Sequence, residues 1–149
     1  MIKIATNEDI EEICELRILQ QKDDWKEEYV DKFDLYNSTK KFMINHINKD
    51  LYIFLKIINE KIVATCGLQV IDYLPQCNDN GKYGYICDVY TINEKRRQGI
   101  QEELLNEVIK FAKEKNLVEL SLSTDNKNAI MLYKKVGFYF DSSMMKLNF

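Results

Sequence analysis

The chain has 149 residues, the length of one ordinary domain, and its 46% hydrophobic content is enough for a sizeable core. A net charge of −3 with 30% charged residues argues against a nucleic-acid-binding module, which carries a basic excess. No apolar run is long enough to span a bilayer and no signal peptide is expected. His46 and the cysteines Cys14, Cys66, Cys77 and Cys87 lack metal-ligand spacing, so the expectation is a metal-free cytoplasmic protein with reduced thiols.

Ile2 to Ala5 reads as a first strand, and Thr6 with Asp9 as the capped start of a helix that turns Ile10, Ile13, Cys14 and Leu16 inward. The stretch from Gln20 to Asn37 mixes acidic and aromatic residues. From Asp23 to Tyr36 its carboxylates and rings suit a cationic amine, but Lys22, Lys26 and Lys32 favour a solvated helix. Ser38 is expected to cap a second helix with Phe42, Met43, His46 and Ile47 toward the core. Leu51 to Ile58 and Ile62 to about Ile71 read as strands joined by a hairpin turn at Asn59-Glu60-Lys61. Asp72 to Lys82, with Pro75 and Gly81, is a loop between antiparallel strands.

A strand from about Tyr83 to Ile92 leads into Arg96-Arg97-Gln98-Gly99-Ile100-Gln101. A helix follows, with Leu104, Leu105, Val108, Ile109 and Ala112 at helical spacing and Asn116 at its end. Leu117 to Thr124 reads as a strand parallel to the one before the loop, because a helix connects them. Asn126 to Val136 reads as a short helix with Gly137 in the left-handed position after it. Phe138 to Phe140 and Met144 to Phe149 read as two last strands. The order β-α-α-β-β-β-α-β-α-β-β fits an α/β chain of the α+β type, one domain over residues 1–149 with a mixed sheet and helices on both faces.

The chemistry concentrates in the last third. A basic, glycine-containing turn that opens a helix suits phosphate. The first helical N–H groups lack intrahelical partners, the helix dipole adds positive charge, and the arginines add charge-assisted hydrogen bonds. The segment Arg96 to Gln101 resembles the acyl-CoA pyrophosphate loop of the GNAT superfamily of N-acetyltransferases, with Arg96 and Gly99 in the first two motif positions. Gln101 stands where that pattern has a small residue; its side chain either crowds the pyrophosphate or points away. A second stretch, Asn126-Lys127-Asn128-Ala129-Ile130-Met131-Leu132-Tyr133-Lys134-Lys135-Val136-Gly137-Phe138, is similar to the superfamily's later motif in residue type and register.

The resemblance implies a mostly antiparallel sheet, acetyl-CoA as co-substrate and an amine acceptor. It further implies that the two strands flanking the loop helix splay apart. The backbone of Val89, Tyr90 and Thr91 then pairs with pantetheine, and Arg96, Arg97, Gln98, Gly99, Ile100 and Gln101 hold the pyrophosphate. Tyr133 hydrogen-bonds the CoA sulfur and assists the leaving thiolate. A phenol at pKa roughly 10 and an alkyl thiol at roughly 8.5 make Tyr133 a hydrogen-bond donor more than a full acid. A core tyrosine is the plainer role, and Tyr133→Phe separates the two. Asn126 caps its helix, contacts the cofactor, or does both. An amine acceptor needs a base, and Asp88 ranks ahead of Tyr85, which faces the other side of a regular strand unless a bulge intervenes. Cys87 reads as a small buried hydrophobe rather than an acyl carrier, and His46 as structural. Dimerisation is common in the family, though the sequence marks no interface. Two rivals stay open: a non-catalytic acyl-CoA-binding domain on the same fold, and an unrelated nucleotide-binding α+β domain.

Overall fold

Five β-rich runs form one sheet in the computed structural model, which describes residues 1–25 and 34–149. The strands are Ile2–Ile4 (β1), Leu51–Ile58 (β2), Lys61–Asp72 (β3), Lys82–Thr91 (β4) and Leu120–Ser121 (β5). They lie in the order β1-β2-β3-β4-β5. The first three pairings are antiparallel, and β4 pairs β5 in parallel. The β2–β3 hairpin closes at Asn59 and Glu60, both at positive φ (50° and 63°), as a two-residue turn matching the strand twist requires.

The helices are Ile10–Asp24 (α1), Leu35–His46 (α2), Ile100–Glu114 (α3) and Lys127–Lys135 (α4). They divide between the two faces of the sheet because β2 alternates. Ile53 and Leu55 pack with Ile10, Ile13, Cys14 and Leu16 of α1 and Met43 of α2. Phe54 turns the other way, toward Leu104, Leu105 and Val108 of α3 and Tyr133 of α4. Both helix ends near the site stop as their residues dictate. Asn116 adopts φ 56° and Gly137 φ 108° after the last turns of α3 and α4, and Phe138 N–H closes onto Tyr133 O at 2.9 Å.

Several expectations are corrected. Asp34, not Ser38, caps α2, because its carboxylate accepts from Asn37 N–H at 3.2 Å one turn earlier. Phe42 is exposed and stacks on His46 at 4.1 Å, while Met43 and Ile47 fill the core. His46 is tied to Asp50 at 2.8 Å. α1 runs on to Asp24, which assigns the first part of the uncertain stretch. The remainder of that stretch from 26 to 33 lies outside the described residues. The strand from Leu117 shrinks to Leu120–Ser121, and residues 138–149 form no strand. Their alternating apolar pattern needs a neighbouring strand to become a ladder, and none lies beside them among the described residues.

One extra residue enters β4. Cys87 pairs with Gly67 and Tyr90 with Thr65, so Asp88 and Val89 together oppose Cys66 in a β-bulge. Gly67 permits this, since a Cβ there would lie 2.8 Å from Cys87 O and 2.9 Å from its Sγ. Gly67→Ala is therefore expected to destabilise the fold by about 1–3 kcal/mol through overpacking against backbone. An unchanged urea midpoint would contradict that.

Candidate functional site

The parallel contact between β4 and β5 is short. Only Gly84↔Leu120 and Tyr85↔Ser121 pair, and beyond them the edge of β4 from Ile86 to Thr91 has no strand beside it among the described residues. Ile92 N–H donates to Val63 O across the β3 side at 3.0 Å. Alternation then turns the amides of Val89 and Thr91 away from β3, toward the opening. This gap is the splay the resemblance implied.

The bulge bends β4 at the mouth of the gap, and side chains from three elements hold it. Asp88 sits at φ 48°, an unfavourable region for a residue with a Cβ. Thr65 Oγ1 donates to Asp88 O at 2.7 Å, and Gln20 Nε2 of α1 donates to Val89 O at 3.2 Å. Gln101, at the start of α3, sends its amide beneath the strand. Its Nε2 lies 2.7 Å from Tyr90 O, 3.0 Å from Thr65 O and 2.9 Å from Thr91 Oγ1. The side chain at the expected small position thus points away from the loop surface and into the sheet.

The loop itself is shaped for an anion. Arg97 (φ 62°) and Gly99 (φ 76°) both take left-handed conformations just before α3, a geometry in which successive N–H groups converge. A Cβ at Gly99 would meet nothing within 4 Å, so the backbone is open to a ligand. Glu103 N–H is the donor that closes onto Gly99 O, at 3.1 Å. The N–H groups of Ile100 to Glu102 therefore precede the first closed helical turn. The arginines differ. Arg96 is bound inward, its Nε donating to Thr91 O and its Nη2 to Asp23 Oδ2, each at 2.9 Å, and Tyr90 Oη shares the same Asp23 oxygen at 3.1 Å. Arg97 is exposed. Gln98 Nε2 turns back to Glu94 O at 3.2 Å.

Tyr133 projects from α4 into the core beside the gap, with its ring edge-on to Phe138 at 5.8 Å. It is 7% exposed, and no protein hydrogen bond to its hydroxyl is present among the described residues. Burial, with smaller contributions from Cys66 and Tyr85, pushes its pKa up to about 12. Asp88 is buried. Desolvation raises its pKa above the ordinary carboxylate value, against the opposing pull of Arg17, whose Nη1 donates to Oδ1 at 3.1 Å. The other oxygen, Oδ2, is buried without a hydrogen-bond partner. Burial pushes the Cys87 thiol up to about 11, which keeps it protonated and a poor nucleophile. Asn126 caps α4, its Oδ1 accepting from Asn128 N–H at 3.0 Å and Ala129 N–H at 3.1 Å.

The model of the acetyltransferase (GNAT) family matches residues 10–138. The chain belongs to that family. No curated protein matches. Among solved structures, a predicted acetyltransferase with acetyl-CoA from Clostridium acetobutylicum is 26% identical, with a TM-score of 0.88 over 99% of this chain and 95% of that one. A GCN5-related N-acetyltransferase from Ralstonia eutropha is 18% identical, with a TM-score of 0.83 over 99% of this chain and 97% of that one. An aminoglycoside acetyltransferase from an uncultured soil metagenomic sample, in complex with trehalose, is 20% identical, with a TM-score of 0.76 over 100% of this chain and 94% of that one. The last two likenesses show the GNAT fold alone.

Sequence reasoning missed Arg17, Gln20 and Thr65 and read Asp23 only as part of an acidic, aromatic segment; all four grip the bulge or the loop of this GNAT chain. The one signal on α1 was spacing. Arg17 and Gln20 lie three and four residues on from Cys14 and Leu16, near the buried face rather than opposite it. Gln101→Ala brings the loop nearer to the family pattern but strips the donors from Tyr90 O and Thr65 O. The expected result is a loss of about 1–3 kcal/mol in stability with no gain in acetyl-CoA affinity. Denaturant titration and calorimetry of the same variant check both halves.

Proposed function

We propose that this GNAT-family chain, acting as one domain in the cytoplasm, transfers acetyl from acetyl-CoA to a primary amine of a small molecule or peptide. The attack is direct, within a ternary complex. The observation that carries the reading is Tyr133, a buried residue whose hydroxyl has no protein partner among the described residues, near Tyr85 where the pairing of β4 with β5 ends. The backbone suits the donor: the Val89 and Thr91 amides face the gap for pantetheine, and the Arg96–Gln101 turn with its open Gly99 backbone suits the pyrophosphate. In this reading Gln101 contributes its main-chain N–H alone, because its side-chain amide is bound to Tyr90 O, and Tyr90 holds its place between the Val89 and Thr91 amides rather than offering a free group of its own. Asn126 serves as the cap that orients α4, and through it Tyr133.

The thioester supplies an activated acyl group. The protein's part is to place the amine, stabilise charge on sulfur and take a proton. With its pKa near 12, Tyr133 lies about 3.5 units above an alkyl thiol, so complete proton transfer would be uphill by roughly 5 kcal/mol. Tyr133 therefore donates a hydrogen bond to the sulfur as negative charge grows there. Asp88 Oδ2, buried and without a partner, is the proton acceptor. Its raised pKa makes it a stronger base than an exposed carboxylate, and the ion pair with Arg17 favours its charged form. It lies on the α1 face of the sheet, opposite the α3 and α4 face, which suits an acceptor site distinct from the donor site.

Thiol release from acetyl-CoA across a panel of amines is the direct test. A domain that binds acyl-CoA without turnover releases no thiol with any amine. Tyr133→Phe is expected to lower kcat by about 10²-fold. KM for acetyl-CoA and the melting temperature should change little, since the lost hydroxyl has no protein partner; equal kcat in the two proteins would remove Tyr133 from the chemistry.

A base acts only when deprotonated, so kcat/KM falls as pH drops through the Asp88 pKa, which lies above the ordinary 3.8. In Asp88→Asn that lower limb disappears and the plateau drops by about 10² or more. Persistence of the limb in the variant assigns it to the amine or another group.

A further inference from the structure

We infer that the acceptor is a free amino acid, an amine with a carboxylate on the neighbouring carbon, and that Arg17 selects it. The inference deepens the acyl-transfer reading and rests on it. It starts from the ion pair at the bulge. Arg17 Nη1 donates to Asp88 Oδ1 at 3.1 Å and to Gln20 Oε1 at 3.4 Å. Its Nε and Nη2, which share the other edge of the guanidinium, make no hydrogen bond among the described residues. Asp88 likewise gives one oxygen to Arg17 and leaves Oδ2 buried and without a hydrogen-bond partner. The Arg17 side chain is 31% exposed and that of Asp88 7%, so a ligand reaches the pair from the guanidinium side.

Charge decides the kind of amine. The Arg17–Asp88 pair is neutral, and other charges on the α1 side are neutralised in pairs of their own, Lys40 with Glu11 and Arg96 with Asp23. A plain ammonium beside Asp88 would leave one uncompensated positive charge in a desolvated place, which is costly. An amino acid is a zwitterion at neutral pH and adds no net charge. Its ammonium meets Asp88 Oδ2, while its carboxylate meets the free Nε and Nη2 edge, whose planar fork matches two carboxylate oxygens. A peptide N-terminus, a lysine side chain or a polyamine has no carboxylate on that carbon and forgoes the second contact. The step balances. The ammonium gives one proton to Asp88 Oδ2, and the freed nitrogen forms a bond to the acetyl carbon. The carbon–sulfur bond breaks with its electron pair going to sulfur, and sulfur takes the second nitrogen proton. The products are an N-acetyl amino acid, CoA thiol and the proton on Asp88.

Thiol release is measured for the common amino acids, each paired with the amine that lacks only its carboxylate, such as phenylalanine with phenethylamine. The preferred amino acid is expected to exceed its amine in kcat/KM by about 10²-fold or more. Arg17→Gln should bring that ratio close to one. If Arg17 merely steadies Asp88, the variant lowers acid and amine alike and the ratio survives, which overturns the inference. So does a wild type that uses the amines as well as the acids, or one that prefers phenylalaninamide, the mimic of a peptide N-terminus. Arg17→Gln leaves Asp88 unpaired; should it not fold, the double variant Arg17→Gln, Asp88→Asn removes both charges together. Calorimetry with the acetyl-CoA-loaded protein then reads the preference as affinity, and the double variant should bind acid and amine equally. A wild type that releases thiol with no amine sinks the transfer reading. The same calorimetry still decides the inference, which fails if no amino acid binds more tightly than its amine.

Discussion

The bulge at Asp88 is the constraint on which the rest of this site depends. A regular β4 would continue beside β5 and leave no gap. One extra residue opposite Cys66 bends the strand and sharpens its twist, so the parallel contact ends after Tyr85. The conformation is costly: an aspartate held at φ 48° costs of order 1–3 kcal/mol. The compensation comes from elsewhere in the chain. Thr65 reaches over from β3, Gln101 from α3, and Gln20 and Arg17 from α1, so three elements must already be docked before the bulge is stable. The opening is thus a product of tertiary structure, not of the local sequence of β4.

The same contacts connect the two sides of the sheet. α1 belongs to the face away from α3 and α4, yet its last turns reach the strand edge and the loop. Asp23 accepts from Arg96 and from the Tyr90 hydroxyl, while Arg96 also caps Thr91 O. Bound in this way, Arg96 fixes where the loop begins rather than reaching outward as a free cation. Anion capacity then rests on the converging backbone N–H groups around Gly99, the start of α3 and the exposed Arg97. Glu102 and Glu103 sit in that first turn but are paired outward, with Lys135 and Lys56. Their charge is thereby drawn off the helix end.

Much of this was legible in the sequence, and the exceptions share a cause. Strands β2 to β4, the Asn59-Glu60 turn, the amphipathic α3 and the caps at Asn116 and Gly137 follow from periods and turn chemistry that are local. The two motifs carry the family because each is a short run read in order. The bulge was not legible, since no glycine or proline marks position 88 and the stabilising groups lie 13 to 71 residues away. For the same reason, the odd spacing of Tyr85 and Asp88 did not settle which residue faces the acceptor. The segment from Phe138 read as strand because its composition is right for one; a ladder also needs an edge, and composition carries no information about that.

Gln101 shows how a departure from a family pattern can be structural. A small residue at that position leaves the loop surface clear but leaves nothing to bind the carbonyls behind it. Here the longer side chain folds under the strand and supplies two donors to Thr65 O and Tyr90 O, which keeps the surface clear by another route. The arrangement is incomplete in a specific way. Among the described residues, the buried side-chain atoms without a hydrogen-bond partner are Gln101 Oε1 and Asp88 Oδ2, and both belong to residues that make or hold the bulge. Buried polar groups are otherwise satisfied in folded chains, because leaving one bare costs about 1–3 kcal/mol. Strain in φ and two unsatisfied oxygens at one kink are what a site looks like when its geometry is set by something other than stability.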